Sequence, residues 1–257
     1  MEDHAVTALP VAKFDGMPAL REIDLSGNAI TALVPGTFHG CPGLKKLSLS
    51  GNNITELAAA TFDGLADLEY LSLQGNRITQ IENDAFQGLS SLTKPFDLAG
   101  NMLRAIHRNS FRGLVKLGQS FLWVLDLSNQ NISTIADFAF EPFRRVNTLR
   151  LANNDLRAIT RDTFANCMTE TLDLSDNAIR TVADGAFAGT LTRQQGLPHN
   201  TLLKSLDLSD NLIRHLSNAT FAGLGRLVSL GLIDNRISTI QVCLCVSVTP
   251  RGPPTER

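Results

Sequence analysis

The chain has 257 residues, of which 43% are hydrophobic and 19% charged, and its net charge is −2; this is the balance of a folded chain and it argues against nucleic acid as a partner. No stretch reaches the roughly 18 apolar residues that a membrane helix needs, and the opening MEDHAVTALP has no basic start followed by an apolar run, so no signal peptide is read as written. With one Trp, one Tyr and thirteen Phe, the core is expected to be built from Leu, Ile and Phe.

From Leu20 the sequence repeats itself. LREIDLSGNAITALVPGTFHGCPG is followed from Leu44 by LKKLSLSGNNITELAAATFDGLAD and from Leu68 by LEYLSLQGNRITQIENDAFQGLSS, a period of 24 residues. A fixed period of this size decides the architecture before any local preference does. Counted from the first Leu as position zero, apolar residues recur at positions 3, 5, 10, 13, 18 and 21, and Asn at position 8. The stretch before Leu20 is a partial coil in the same frame, with His4 in the Asn position and Leu9 and Phe14 in theirs. The Asn column then runs Asn28, Asn52, Asn76, Asn101, Gln130, Asn154, Asn177, Asn211 and Asn235, and nine of the thirteen Phe share position 18, from Phe14 to Phe221.

The two Leu of each LxLxxN alternate as a short strand with one buried face requires. Four junctions depart from the period: one extra residue near Pro95, five at 118–122, one missing near Met168 and ten within 190–201. All lie between position 21 and the next position 3, where a returning surface segment accepts insertions at little cost. They read as tolerated loops, as a partner contact, or as misjudged splice junctions, since the inserts do not share the repeat's character. After Ile240 the frame dissolves into QVCLCVSVTPRGPPTER.

This pattern resembles the leucine-rich-repeat family in its 24-residue form with FxGL endings. The resemblance implies an α/β-type solenoid curved like a horseshoe, with a parallel sheet on the concave face and irregular or short helical turns on the convex face. Residues 4–241 would form the solenoid, a partial coil and about nine repeats with the last incomplete, and 242–257 a tail predicted to be disordered. The family uses the Asn to hydrogen-bond turn backbone between coils; Gln130, one methylene longer, is expected to reach poorly and to make its coil irregular. The Phe column should line the convex half of the core. End caps are not recognised, so the chain is expected to self-associate through Ile23 and Leu25 at one end and Ile237, Ile240 and Val242 at the other.

No catalytic motif is found: GxSxG, GxxxxGK[ST], HExxH and GxGxxG are absent, and His4, His39, His107, His199 and His215 are scattered. The chain is read as a binding module and not an enzyme, with no cofactor and no metal. Positions 2, 4 and 6 point away from the core. Position 4 reads Asp24, Ser48, Ser72, Asp97, Asp126, Arg150, Asp173, Asp207 and Gly231, and position 7 adds Asp176, Asp210 and Asp234. The concave face is thus acidic, which favours a cationic partner or calcium, unless DLS is simply how the repeat spells a solvated turn. The sharpest candidate for contact with a protein partner is Lys46, Tyr70, Gln74 and Arg150 beside Asp97 and Asp126, because exposed Tyr and Arg are favoured at binding hot spots.

Cys41 and Cys167 share position 21 and are read as small buried apolar residues, five strands apart and beyond disulfide reach. Asn53-Ile-Thr55, Asn131-Ile-Ser133 and Asn218-Ala-Thr220 are glycosylation acceptors if the chain is exported. The resemblance to receptor and matrix proteins of the family implies an extracellular or cell-surface recognition module. The alternative is a cytoplasmic scaffold or regulatory subunit with the same solenoid.

Overall fold

A computed structural model of the chain describes residues 6–11, 13–94, 96–114, 124–143, 145–188 and 202–240. In chain order its strands are β1 Glu22–Asp24, β2 Lys46–Ser48, β3 Glu56–Leu57, β4 Tyr70–Ser72, β5 Gln80–Ile81, β6 Phe96–Asp97, β7 Ala105–Ile106, β8 Val124–Asp126 and β9 Thr134–Ile135, followed by β10 Arg145–Arg150, β11 Ala158–Ile159, β12 Met168–Asp173, β13 Thr181–Val182, β14 Ser205–Asp207, β15 His215–Leu216, β16 Ser229–Gly231 and β17 Thr239–Ile240. β1 and the even-numbered strands form one parallel sheet of nine strands in chain order, one per coil. The other strands pair two by two across the coils.

Three-residue strands cannot stand alone; stacking makes them a sheet. Register keeps position 3 in line from coil to coil, Ile23 on Leu47 on Leu71 and Leu125 on Leu149 on Leu172 on Leu206. Each of these is buried, while its neighbours at positions 2 and 4, buried Ser72 excepted, are half-buried or exposed. The chain leaves each strand through a left-handed turn at position 7, and that amide donates to the position 6 carbonyl of the next coil, as in Gly51 N to Gln74 O at 2.9 Å. Glycine fills this turn in the first four full coils because it adopts positive φ without a Cβ clash.

The Asn column closes the coils onto one another. Asn76 Oδ1 accepts from Ile54 N at 3.1 Å, and its Nδ2 donates to Leu49 O of the preceding coil at 2.9 Å and to Leu73 O of its own coil at 3.0 Å. The same set recurs at Asn52, Asn101, Asn154, Asn177, Asn211 and Asn235. Gln130 departs from the expectation of poor reach. It accepts from Leu103 N at 3.2 Å and donates to Leu98 O at 3.1 Å, so both inter-coil bonds survive. Among the described residues it makes no bond to its own strand carbonyls, which is what the extra methylene forfeits.

Behind the sheet the Phe rings stack as a spine, with centroids 5.9 Å apart for Phe62 and Phe86, 6.3 Å for Phe86 and Phe111, and 5.8 Å for Phe140 and Phe164. Phe96, which replaces the position 3 Leu of its coil, meets Phe86 edge-on at 5.2 Å. The convex side is made of turns and two-residue strands, with a 3-10 turn at Glu141–Phe143. At the short junction β12 starts at Met168, directly after Cys167, and pairs with β10 from Arg145↔Met168 to Arg150↔Asp173. Pro95, the insertions at 118–122 and 190–201, and the tail lie outside the described residues, as does Val242.

Candidate functional site

The concave sheet is the surface that the coil geometry leaves open, and its side chains fall into columns. In the position 2 column, Lys46 on β2 reaches Glu22 on β1 at 2.5 Å and lies 5.9 Å from the ring centre of Tyr70 on β4. Glu22 holds the Lys46 ammonium above its ordinary range, first through the hydrogen bond and then through its charge. Lys46 is exposed and Tyr70 half-buried, so the ring offers one face to the ammonium and one edge to solvent.

In the position 4 column, register places Asp97 beside Asp126, Asp126 beside Arg150, and Arg150 beside Asp173, which is followed by Asp207. Arg150 Nη1 lies 3.1 Å from Asp126 Oδ2. Asp97 faces Asp126 without such a partner, and its carboxyl is raised above its ordinary value by burial first and then by the Asp126 charge. Most of these carboxylates also serve the turn that follows. Asp126 Oδ1 accepts from Ser128 N at 3.0 Å and Ser128 Oγ at 2.6 Å, and Asp24, Asp173 and Asp207 do the same with Ser26, Ser175 and Ser209. The DxS spelling is therefore an Asx-type turn built into the strand end. One oxygen of each carboxylate is spent there, and among the described residues no group of three or more His, Cys, Asp or Glu is placed to hold a metal ion.

The six residues singled out in the sequence do not form one patch. Lys46 and Tyr70 sit together at position 2, and Asp97, Asp126 and Arg150 sit together at position 4. Gln74 stands apart on the rim, exposed, in a shallow groove of about 480 Å³ whose walls include Ser26, Ser50, Gly75 and Asn129. Two features escaped the sequence reading. Glu22 completes the Lys46 pair, which the 24-residue spacing of the two positions could have disclosed. The groove follows the glycine column at position 7, which spelling alone marks only as a turn.

Cys41 and Cys167 are free and buried, and burial pushes the Cys167 thiol up to about 12. Of the glycosylation acceptors, Asn131 and Asn218 are exposed and Asn53 is half-buried. Of the residues expected at open ends, Ile23 is buried, and Leu25 and Ile237 are half-buried. No described helix is long and apolar enough to cross a membrane.

The solenoid is similar to solved structures. TLR13 in the TLR13-ssRNA13 complex matches with a TM-score of 0.71 and 25% identity, over 85% of this chain and 28% of that one. The leucine-rich repeat domain of APL1B matches with a TM-score of 0.66 and 21% identity, over 92% of this chain and 61% of that one. A chain of the Toll–Spatzle complex of Drosophila matches with a TM-score of 0.62 and 24% identity, over 92% of this chain and 33% of that one. The chain thus spans less than two thirds of each. A search of curated proteins returns no match. The family model described as Leucine rich repeat matches residues 2–54, 42–94, 122–177 and 169–237. With that match over most of its length and the repeat geometry in view, the chain belongs to the leucine-rich-repeat family.

Proposed function

We propose that this chain is a protein-recognition module, not an enzyme, and that it receives its partner on the concave sheet. The observation that carries this reading is the uncovered nine-stranded face itself: positions 3, 5, 10 and 18 are committed to the core, whereas most residues at positions 2, 4 and 6 stay outside it and serve only cross-strand ion pairs and the strand-end turn. The contacting residues would be Lys46, Tyr70, Gln74, Asp97, Asp126 and Arg150. Asp97 and Asp126, side by side with only Asp126 paired to a guanidinium, favour a cationic group on the partner. Two of the structural neighbours support a protein partner, since their complexes are with Spatzle and between LRIM1 and APL1C.

We infer further that the module works outside the cell, supported by the 24-residue FxGL repeat type and by exposed acceptors at Asn131 and Asn218. A cytoplasmic scaffold is the second reading, favoured by the free buried thiols of Cys41 and Cys167. Glycan occupancy in native material separates the two: glycans at Asn53, Asn131 or Asn218 exclude the scaffold, and a cytosolic pool without them excludes export. The recognition reading is tested by capturing partners with the chain and repeating the capture with Lys46→Glu/Arg150→Glu. A partner held by the concave face should bind at least about ten-fold more weakly to that variant and equally well to Arg112→Glu on the convex side. The opposite pattern would remove the concave sheet from the account.

A further inference from the structure

Two columns on the side wall of the solenoid carry opposite charge in the same two neighbouring coils. Position 7 carries Gly27, Gly51, Gly75 and Gly100, then Asn129 and Asn153, and then Asp176, Asp210 and Asp234. All nine have φ between 53° and 67°. Glycine takes this conformation freely and Asn tolerates it, so the three Asp bring like charge to a strained turn that the other coils build without any. Asp176, Asp210 and Asp234 are exposed.

Position 11 gains opposite charge over an overlapping stretch. The column reads Thr31, Thr55, Thr79, Arg104, Ser133, Arg157, Arg180, Arg214 and Ser238, so three arginines follow one another from Arg157, and two of them, Arg180 and Arg214, fall in coils with Asp at position 7. A hydroxyl at this position can bond to the preceding coil, as Thr79 Oγ1 does to Thr55 O at 3.2 Å and Ser238 Oγ to Arg214 O at 3.3 Å. Arginine gives that bond up. The three guanidinium groups are exposed, and none makes an ion pair among the described residues. They rise from adjacent coils, because Arg180 N donates to Arg157 O and Leu212 N to Ile179 O, both at 2.9 Å. Nothing in the fold requires them, since Thr makes the same wall elsewhere.

The plainest alternative is that the acidic and basic columns neutralise each other within one molecule. They do not pair: no ion pair joins them among the described residues. The carboxyl of Asp210 is raised by partial desolvation and by the charges of Asp176, Asp234 and Asp207, with no arginine contributing. Between the columns, in the two coils where both are charged, position 9 is apolar: Ala178 lies between Asp176 and Arg180, and Leu212 between Asp210 and Arg214. Both are half-buried. The wall of these coils therefore reads acid, apolar, base.

We propose that this wall docks a second copy of the chain, side by side and running in the same direction, about a two-fold axis that follows the Ala178–Leu212 strip. Rotation about that axis lays Asp176 and Asp210 of one copy on Arg180 and Arg214 of the other and brings the apolar strip onto itself. A two-fold axis across the columns would set Asp against Asp. A polyanion would meet the Asp column and a polycation the Arg column; a second copy satisfies both.

Sedimentation of the full chain tests this. At low ionic strength it should form a dimer that dissociates near 1 M salt, where the screening length falls to about 3 Å. Arg180→Glu/Arg214→Glu should be monomeric, Asp176→Lys/Asp210→Lys likewise, and an equimolar mixture of the two should form a heterodimer. Asp176→Asn/Asp210→Asn keeps a residue type that the column already holds in this turn, and should weaken the dimer about ten-fold without unfolding the chain. Ala178→Cys should oxidise to a dimer linked through residue 178 of both copies. A monomer at all concentrations at low salt overturns the proposal. So does a dimer indifferent to the charge variants, or one that cross-links through its ends near Ile23 and Ile237.

Discussion

Replacing Asn76 by Ala should cost about 3 kcal/mol, and replacing it by Gln only about 1 kcal/mol. The difference follows from what each partner retains. In the Ala variant the buried Ile54 N–H loses its acceptor, Asn76 Oδ1 at 3.1 Å. The two carbonyls lose less, because Leu49 O keeps Asn52 Nδ2 at 3.0 Å and Leu73 O keeps Asn101 Nδ2 at 3.0 Å. One orphaned donor costs roughly 1–3 kcal/mol, and the weakened carbonyls and small void bring the sum to about 3. Gln at this position should behave as Gln130 does, keeping both inter-coil bonds and losing those to its own strand. Urea unfolding followed by circular dichroism gives the stability change, and amide exchange at Ile54 reports the orphaned donor directly. Equal costs for Ala and Gln, or unchanged protection at Ile54 in the Ala variant, would refute the reasoning.

Phe86→Ala, which removes a ring stacked on Phe62 and Phe111 and met edge-on by Phe96, should destabilise by about 3–5 kcal/mol in the same unfolding assay, and a loss below about 1 would contradict the packing of these four rings. Asp97→Asn should raise stability at neutral pH while keeping the bond from Ala99 N. Because the folded-state affinity of Asp97 for its proton exceeds the unfolded one, the wild type loses stability as pH rises above 3.8, so the gain should vanish in acid; a gain independent of pH would contradict this. Cys41 and Cys167 should resist thiol reagents in the native state and react on unfolding, as measured by labelling with and without urea, and rapid native labelling of either would contradict their burial.

The architecture was legible because every coil repeats the same physical constraint. Asn at position 8 is the short amide that spans two coils, Phe at position 18 fills the same volume each time, and the Leu at positions 3 and 5 alternate about one strand. Gln130 was misjudged in its reach because spelling does not show that neighbouring backbone lies close enough for a longer amide. The candidate site was less legible. Lys46 and Arg150 both point out of the sheet, yet they occupy different columns, and Tyr70 and Arg150 lie three strands apart, roughly 14 Å. The acidity of position 4 also read as more available than it is, since Ser26, Ser128, Ser175 and Ser209 each engage one carboxylate oxygen. Net charge was a weak guide to partners, because columns of opposite sign cancel in the sum.

Carboxyl footprinting of the chain with a captured partner tests the concave assignment most directly. Labelling at Asp97, Asp126, Asp173 and Asp207 should fall when the partner binds, while Asp63 and Asp137, exposed on the convex side, should label as before. Protection at Asp63 and Asp137 with none along the position 4 column would show that this solenoid does not recognise its partner through its sheet.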